Sequence, residues 1–355
     1  MTEFSLLIVD DEAQDRQNCR NAVKDYNLEY GTKIHLVECA SVQEAITALN
    51  GSYFDGAIID MRLADNGDEG NQVLHQIRDH LKRIPIAVVT GTPDAVDGID
   101  VPIIDVYIKG ETPYADVVKT LLDIYSTGLT KIMGGRGIIE QCLTEIFVNN
   151  LLRRESMPKW ISYGQGNSER TEQALLRHVV NHLMHHLDDG VNKSYPEEFY
   201  IYPPVSKALR TGCLVRHKES GTYYIVMNPA CDLEIRSEGS CNTDRALLVE
   251  IENVNDIFPT FNWTELSKSN KAELTKVYRN TKSLYFHWLP STGFFSGGVA
   301  NFRNISTYTE DELKAAFGEP EIQVSHAFLK DIVSRFSSYY ARQGQPDIDH
   351  EFLLI

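Results

Sequence analysis

The chain has 355 residues, of which 42% are hydrophobic, and this length accommodates two or three globular domains. Its net charge of −16 is unevenly distributed: residues 1–127 carry 10 Lys and Arg against 22 Asp and Glu, and the remainder carries 24 against 28. Because an acidic surface repels phosphate backbones, the first part of the chain is not expected to bind nucleic acid.

Neither a membrane anchor nor a secretory signal is expected. No apolar run is long enough to cross a bilayer, and the start "MTEFSLLIVDDE" has no basic region. The six cysteines are widely spread and contain no C-x-x-C pair, which is typical of reduced thiols and argues against a zinc site. We therefore expect a cytoplasmic protein.

The first 127 residues have the pattern of a doubly wound α/β domain. Short apolar segments that fit buried strands alternate with helical segments, as in an open parallel sheet. The predicted strands are "SLLIVD", "KIHLVECA", "GAIID", "IPIAVVTG" and "DVYIKG". We therefore predict a five-stranded parallel sheet, with a helix in each connection and ligands bound at the carboxyl ends of the strands.

Residues 128–192 are predicted to form a helical connector. Gly and other small residues occupy 126–137, and two helical blocks follow at 138–154 and 168–189. Beyond Tyr195 the chain becomes rich in short strands, and helices resume at 262–280, 309–317 and 324–342. We assign 193–355 to an α+β domain with a small β-barrel or a curled sheet.

Polar residues terminate four of the five predicted strands of the first domain. Asp10 and Asp11 follow the first strand, Asp60 ends the third, Thr90 ends the fourth and Lys109 follows the fifth. These side chains should converge on one edge of the sheet, where carboxylates suit a hard cation such as Mg²⁺. A carboxylate beside such a metal can attack a phosphoryl group and form an aspartyl phosphate.

This set of motifs resembles the receiver domain of two-component response regulators. The resemblance covers residues 1–127 and lies in "LLIVDDE", "GAIIDMRL", "AVVTG" and "YIKG". It implies a flavodoxin-like fold, phosphorylation by a sensor histidine kinase, and no enzymatic activity beyond slow self-dephosphorylation. It implies that Asp60 is the phosphoacceptor and that Thr90 and Lys109 sense the phosphoryl group. The implied Mg²⁺ site consists of Asp10, Asp11, Asp60 and the backbone carbonyl of Arg62.

The sequence departs from the receiver pattern at several positions. Ala64 stands where many receivers have proline, and Gly110 follows Lys109 where proline is usual. Val106 occupies the place of a common switch aromatic, and Tyr107 should face the opposite side of the sheet because strand side chains alternate. The phosphorylation chemistry therefore looks complete, while the usual route from Thr90 to the output surface is in question.

The C-terminal part contains one candidate nucleophile. Cys231 lies beside Asp232 in "MNPACDL", and His217, His287 or His326 would be the base of a receiver-gated hydrolase. No glycine elbow or ordered Cys/His/Asn signature accompanies it. We therefore favour a thiol that packs in a turn after a strand.

Four histidines cluster in "LLRHVVNHLMHHLDD". His178, His182, His185 and His186 lie beside a predicted apolar helix face. Their spacing allows a metal site or a phosphotransfer histidine. The sequence favours a polar face flanking a dimer or domain contact, because no carboxylate or cysteine completes a ligand set.

A second resemblance concerns the C-terminal part. The segments "EEFYIYPP", "GCLVRH", "GTYYIVMNPACDL" and "FSSYYARQGQPD" are similar to the output region of atypical receiver proteins in Detocs-type antiphage systems. The resemblance implies a phosphate sink or adaptor that accompanies a kinase and an effector, with a homodimer also open. The alternative is a transcriptional regulator that reads DNA with residues 138–190, although no basic recognition helix is evident.

Overall fold

The computed structural model describes residues 3–64, 67–96, 101–188, 193–234 and 241–342. The chain divides into a first unit, Met1–Gly190, and a second unit, Val191–Ile355. The predicted connector falls mainly in the first unit, and the three-part division at residues 127 and 192 stays a prediction. Among the described residues, none of the helices has both the length and the apolar character needed to cross a membrane.

A parallel sheet with strand order β2-β1-β3-β4-β5 forms the centre of the first unit. The strands are β1 Glu3–Val9, β2 Lys33–Cys39, β3 Gly56–Ile59, β4 Ile86–Thr90 and β5 Ile103–Ile108. Every residue of β3 and β4 is buried, because helices cover both faces of the sheet. The predicted doubly wound, flavodoxin-like architecture is confirmed.

Two helices cover each face of this sheet. In chain order, the first and fourth helices pack on one face of the sheet and the second and third pack on the other. Their buried residues accordingly belong to two separate hydrophobic clusters. In chain order the helices are α1 Ala13–Tyr30, α2 Val42–Gly51, α3 Gly70–Asp79 and α4 Tyr114–Ser126. Ser41 caps α2, since its side chain accepts a hydrogen bond from the Glu44 N–H.

The connection between β4 and β5 differs from the prediction. Its described residues, 91–96 and 101–102, contain the 3₁₀ turn Pro93–Ala95 and no α-helix. The expectation of a helix in every connection is therefore wrong for this part of the chain. Gly91, Pro93 and Pro102 explain the difference, because glycine and proline disfavour a regular helix.

Further helices complete the first unit. They are α5 Leu129–Met133, α6 Ile138–Ile146, α7 Met157–Gly166 and α8 Ser168–Asp188, with a π-helical turn at Phe147–Leu151. The helix α8 packs against α6 and α7. Its predicted apolar face is only partly covered within this unit, because Leu176, Val180 and Leu187 are 65%, 47% and 51% exposed.

The second unit is built around a seven-stranded antiparallel sheet with strand order β10-β11-β9-β8-β7-β12-β6. The strands are β6 Tyr200–Ile201, β7 Cys213–Arg216, β8 Tyr223–Val226, β9 Ala246–Glu252, β10 Phe286–Leu289, β11 Gly298–Tyr308 and β12 Ile322–Val324. The pairing of β11 with β9 shifts register between Ala300 and Ile305, and such irregularities bend a sheet. Of the two predicted forms, the curled sheet is the one observed.

In the described part of the second unit, four α-helices accompany this sheet. They are α9 Val254–Ile257, α10 Lys268–Tyr278, α11 Glu310–Ala316 and α12 His326–Tyr340. The helix α12 contributes to the main core, where Ile332 is fully buried and the rings of Phe336 and Phe302 meet edge to face at 5.4 Å. The helix α11 begins with the predicted capping box between Thr309 and Glu312.

Gly70 provides a test of how tightly the first unit is packed. A Cβ at this position would lie 2.4 Å from the carbonyl oxygen of Asp60 and 2.7 Å from the Cα of Met61. We expect Gly70→Ala to lower the free energy of unfolding by about 1–3 kcal/mol, measured by urea denaturation, because the backbone must move.

Gly51 is the matched control. It also lies in a helix of the first unit, and a Cβ there would meet nothing within 4 Å. Gly51→Ala should leave stability unchanged or raise it by up to about 1 kcal/mol. Equal stability of the two variants would contradict the close approach at Gly70.

Candidate functional site

The carboxyl edge of the first sheet collects the polar residues that end its strands. Asp10 directly follows β1, Asp60 directly follows β3, Thr90 is the last residue of β4, and Lys109 directly follows β5. These strands are consecutive neighbours in the sheet, so their ends lie side by side. A backbone hydrogen bond of 3.0 Å from the Lys109 N–H to the Thr90 carbonyl holds the last two ends together.

Lys109 lies at the centre of the acidic residues. Its Nζ is 2.7 Å from Asp60 Oδ2, 2.9 Å from Asp10 Oδ2 and 3.1 Å from Asp15 Oδ2. Burial of the ammonium group opposes its charge, but the hydrogen bonds that it donates to Asp60 and Asp10 outweigh burial and raise the pKa of Lys109. The lysine therefore remains charged and offsets the repulsion between the carboxylates.

Asp10 is the most restrained carboxylate of the site. Its side chain is 2% exposed, Oδ1 accepts a 2.9 Å hydrogen bond from the Glu12 N–H, and the Tyr114 hydroxyl lies 3.5 Å from Oδ2. Burial raises the pKa of Asp10 to about 6, although the hydrogen bond and charge of Lys109 act in the opposite direction. A cation beside this group would favour its charged form.

Three carboxylates lie close enough to share one metal ion. Oxygens of Asp10, Asp11 and Asp60 are all within 4.8 Å of one another, and Asp11 is exposed while the other two are buried. Carboxylate oxygens are the ligands that Mg²⁺ takes in proteins, and an exposed side leaves room for the waters that this ion retains. The residues present therefore fit Mg²⁺.

Arg62 and Asp60 interact through the backbone. The Arg62 N–H donates a 3.3 Å hydrogen bond to Asp60 Oδ1 and so orients the carboxylate. The role of the Arg62 carbonyl as a metal ligand stays a prediction.

Thr90 is fully buried at the end of β4, and its hydroxyl is tied to the following loop. Its Oγ1 accepts a 3.2 Å hydrogen bond from the Thr92 N–H, and the Thr92 hydroxyl donates to the Gly67 carbonyl over 3.3 Å. A change in the position of Thr90 would therefore be transmitted to the loops that begin after β4 and β3.

Two of the departures from the receiver pattern have a structural counterpart. Val106 packs in the hydrophobic cluster on the α2 and α3 side, whereas Tyr107 packs in the cluster on the α1 and α4 side, as predicted from strand alternation. Gly110 adopts a φ of 83°, a left-handed conformation that the usual proline cannot adopt. The chain thus leaves β5 by a turn built on glycine.

Sequence reasoning missed two residues of the site. Asp15 lies in the first turn of α1 and contacts Lys109, and Tyr114 is the first residue of α4 and approaches Asp10. Their signal in the sequence is weak: both are first-turn residues of helices that begin at the same edge of the sheet. Only the packing of these helices brings them to the carboxylates.

The candidates in the second unit do not form a comparable site. The Sγ of the exposed Cys231 lies 3.7 Å from Asp232 Oδ1, and within the described residues no histidine is hydrogen-bonded to this thiol. His287 is buried, and this burial lowers its pKa to about 3. His217 accepts a hydrogen bond from the Ser220 N–H, and His326 shares only an open groove with Cys231.

A parallel α/β sheet with a lysine among clustered carboxylates at its carboxyl edge is the arrangement that the sequence resemblance implies for a receiver domain. In agreement, residues 6–112 match the family described as the response regulator receiver domain. This part of the chain is therefore a response regulator receiver domain, as the sequence resemblance predicts.

Several solved structures match about a third of the chain. A response regulator from Thermotoga maritima is 18% identical with a TM-score of 0.27, covering 34% of this chain and 99% of its own. A receiver domain protein from Methanospirillum hungatei is 18% identical with a TM-score of 0.28, covering 37% and 99%. The N-terminal domain of a three-domain response regulator from Carboxydothermus hydrogenoformans is 19% identical with a TM-score of 0.28, covering 35% and 98%. None of the curated proteins matches the chain significantly.

Removing the lysine tests the electrostatics of the site. We expect Lys109→Ala to lower the free energy of unfolding by about 1–3 kcal/mol at neutral pH, because Asp10 and Asp60 lose their cation while buried. Urea denaturation with and without Mg²⁺ measures this. The loss should shrink with Mg²⁺, which supplies another cation to the same carboxylates.

The control is Lys119→Ala. Lys119 forms an ion pair with Asp123 on the exposed face of α4, where solvent screens the charges, so stability should hardly change. A similar effect of the two substitutions would show that Lys109 does not balance the acidic residues.

Proposed function

We propose that the protein is a cytoplasmic two-component response regulator in which Asp60 accepts a phosphoryl group from a sensor histidine kinase. The observation that carries this proposal is the 2.7 Å contact between Lys109 Nζ and Asp60 Oδ2, beside the acidic pair Asp10 and Asp11. In a receiver domain, such an arrangement provides a carboxylate that accepts the phosphoryl group, a lysine amine held beside it, and an edge that binds the metal ion.

The chemistry follows from these positions. A carboxylate oxygen of Asp60 attacks the phosphorus of a phosphohistidine, and the P–N bond breaks with its electron pair passing to the imidazole. The imidazole leaves as a neutral ring whose other nitrogen carries a proton taken from water. Lys109 offers its ammonium group to the phosphoryl oxygens, and Thr90 offers a hydroxyl at the end of the neighbouring strand. Asp10, Asp11, Asp60 and the Arg62 carbonyl would hold Mg²⁺, which would supply positive charge to offset the charge of the transferring group.

The receiver reaction is tested with a small phosphodonor. With Mg²⁺, the wild-type protein should gain one phosphoryl group per chain that is stable in acid and released by hydroxylamine, as measured by intact-mass spectrometry. Asp60→Asn should gain none, because an amide cannot form the acyl phosphate. Asp123→Asn, which alters an exposed carboxylate on α4, should be labelled like the wild type.

The metal requirement is measured in the same assay. Chelation of Mg²⁺ should stop labelling, and Asp11→Asn should raise the Mg²⁺ concentration needed by about tenfold or more. Asp15→Asn should have a smaller effect, because Asp15 contacts Lys109 but is not one of the three clustered carboxylates. If Asp60→Asn were labelled at the wild-type level, the phosphoryl acceptor would have to be a residue other than Asp60.

We further propose that the second unit binds a protein partner and does not read DNA. Three of the segments that resemble Detocs-type output regions lie on or beside β6, β7 and β8, within one sheet. The fourth begins in α12 and continues past residue 342, outside the described residues. The protein would then act as a phosphate sink or adaptor in antiphage defence, alongside a kinase and an effector.

The sink is tested by competition. A histidine kinase that phosphorylates this protein is mixed with a second receiver that it also phosphorylates, and phosphate on that receiver is followed over time. Wild-type protein should lower this phosphorylation, and Asp60→Asn should not, because it cannot take the phosphoryl group. An equal reduction by both would indicate sequestration of the kinase instead of a phosphate sink.

The DNA-binding alternative makes the opposite prediction for a simple experiment. A DNA-binding protein retards any duplex at low salt, and the retardation falls steeply as salt rises. The excess of acidic residues in this chain disfavours such binding. If the phosphorylated protein retards a duplex in a salt-dependent manner, the result would contradict the phosphate-sink proposal and favour a transcriptional regulator.

A further inference from the structure

Two histidines on α8 face each other one helical turn apart. His178 and His182 are both half-buried, and their rings meet edge to face with centroids 4.6 Å apart. Their Nε2 atoms are 3.3 Å apart. Residues four positions apart on a helix lie on the same face, so the backbone of α8 holds these two nitrogens together.

The distance between the two Nε2 atoms matches that between two nitrogen ligands of a single metal ion. Two nitrogens at about 2.0–2.1 Å from one tetrahedral ion are separated by about 3.3–3.4 Å. A hydrogen bond between the rings would also join these atoms, but nitrogen donors prefer a separation of about 2.9–3.0 Å. The observed spacing therefore fits two ligands on one ion as well as a long hydrogen bond between the rings.

Neighbouring rings restrain one of the two histidines. The Trp160 ring lies 5.8 Å from the His178 ring, and Tyr163 packs edge to face on Trp160 at 6.0 Å. Both aromatic residues belong to α7, which packs along α8. Restraint of this kind lowers the conformational entropy lost when an ion binds.

We propose that His178 and His182 form a two-histidine site for a divalent transition-metal ion of the Zn²⁺, Ni²⁺ or Cu²⁺ class. Imidazole nitrogens select these ions, whereas the oxygens of Asp10, Asp11 and Asp60 select hard ions such as Mg²⁺. Within the described residues, that acidic group is the only set of three or more possible ligands, so the remaining positions on the ion are open to water. The site does not depend on the receiver chemistry proposed above.

Zinc titration of the full-length protein tests the site. Cys231 and Cys241 are exposed thiols that bind zinc themselves, so the titration uses a Cys231→Ser, Cys241→Ser background with excess Mg²⁺ to occupy the acidic edge. Isothermal titration calorimetry should give one equivalent of Zn²⁺ that is absent after His178→Ala and His182→Ala together. Each single substitution should weaken binding by about tenfold or more, since one imidazole remains.

Matched histidine variants locate the site. His35→Ala removes an exposed imidazole elsewhere in the first unit and should leave the zinc equivalent unchanged. His185→Ala with His186→Ala should also retain it, because the 3.3 Å contact joins His178 and His182. Loss of the equivalent in the latter variant, or its persistence without His178 and His182, would overturn the proposal.

A second measurement observes the site with both histidines in place. In the imidazole NMR spectrum of the same background, one equivalent of Zn²⁺ should shift the signals of two of the 11 histidines. The shifted signals are assigned from the single variants. Unshifted signals, or equal shifts spread over many histidines, would rule out the two-histidine site even if the double variant failed to fold.

Discussion

The interaction on which the first unit depends is that of one ammonium group with three carboxylates. Lys109 lies within 3.1 Å of oxygens from Asp10, Asp15 and Asp60, and two of these carboxylates are buried. Buried like charges repel one another and resist ionisation unless a cation accompanies them. The acidic edge is therefore stable with the lysine in place and retains an exposed carboxylate, Asp11, on the side open to solvent.

This balance makes the site sensitive to added charge. A metal ion at Asp10, Asp11 and Asp60 would lessen the need for Lys109 as a counterion. A phosphoryl group on Asp60 would give the ammonium group a new partner. Thr90, which shares a backbone hydrogen bond with Lys109, is tied through Thr92 to the loop containing Gly67. A change of charge at the edge thus has a direct path to two loops.

Parts of this arrangement follow from local sequence. Strands such as "LLIVDDE" and "GAIIDM" are apolar runs closed by acidic residues, and the parallel sheet brings such ends to one edge, so Asp10, Asp60 and Lys109 could be placed together in advance. Asp15 and Tyr114 could not, because their approach depends on how α1 and α4 dock on the sheet. The β4–β5 connection was also mispredicted, although Pro93 and Pro102 explain the outcome once it is known.

The sequence by itself determined the receiver architecture, because period-two and period-3.6 patterns and strand-end residues are local signals. Tertiary structure decided which groups meet. The second unit contains a curled sheet and not a closed barrel. Among the described residues, Cys231 has no histidine partner, and the Nε2 atoms of His178 and His182 are 3.3 Å apart. Spacing fixes which residues share a helix face, but side-chain rotamers and neighbours such as Trp160 set the distances on which chemistry depends.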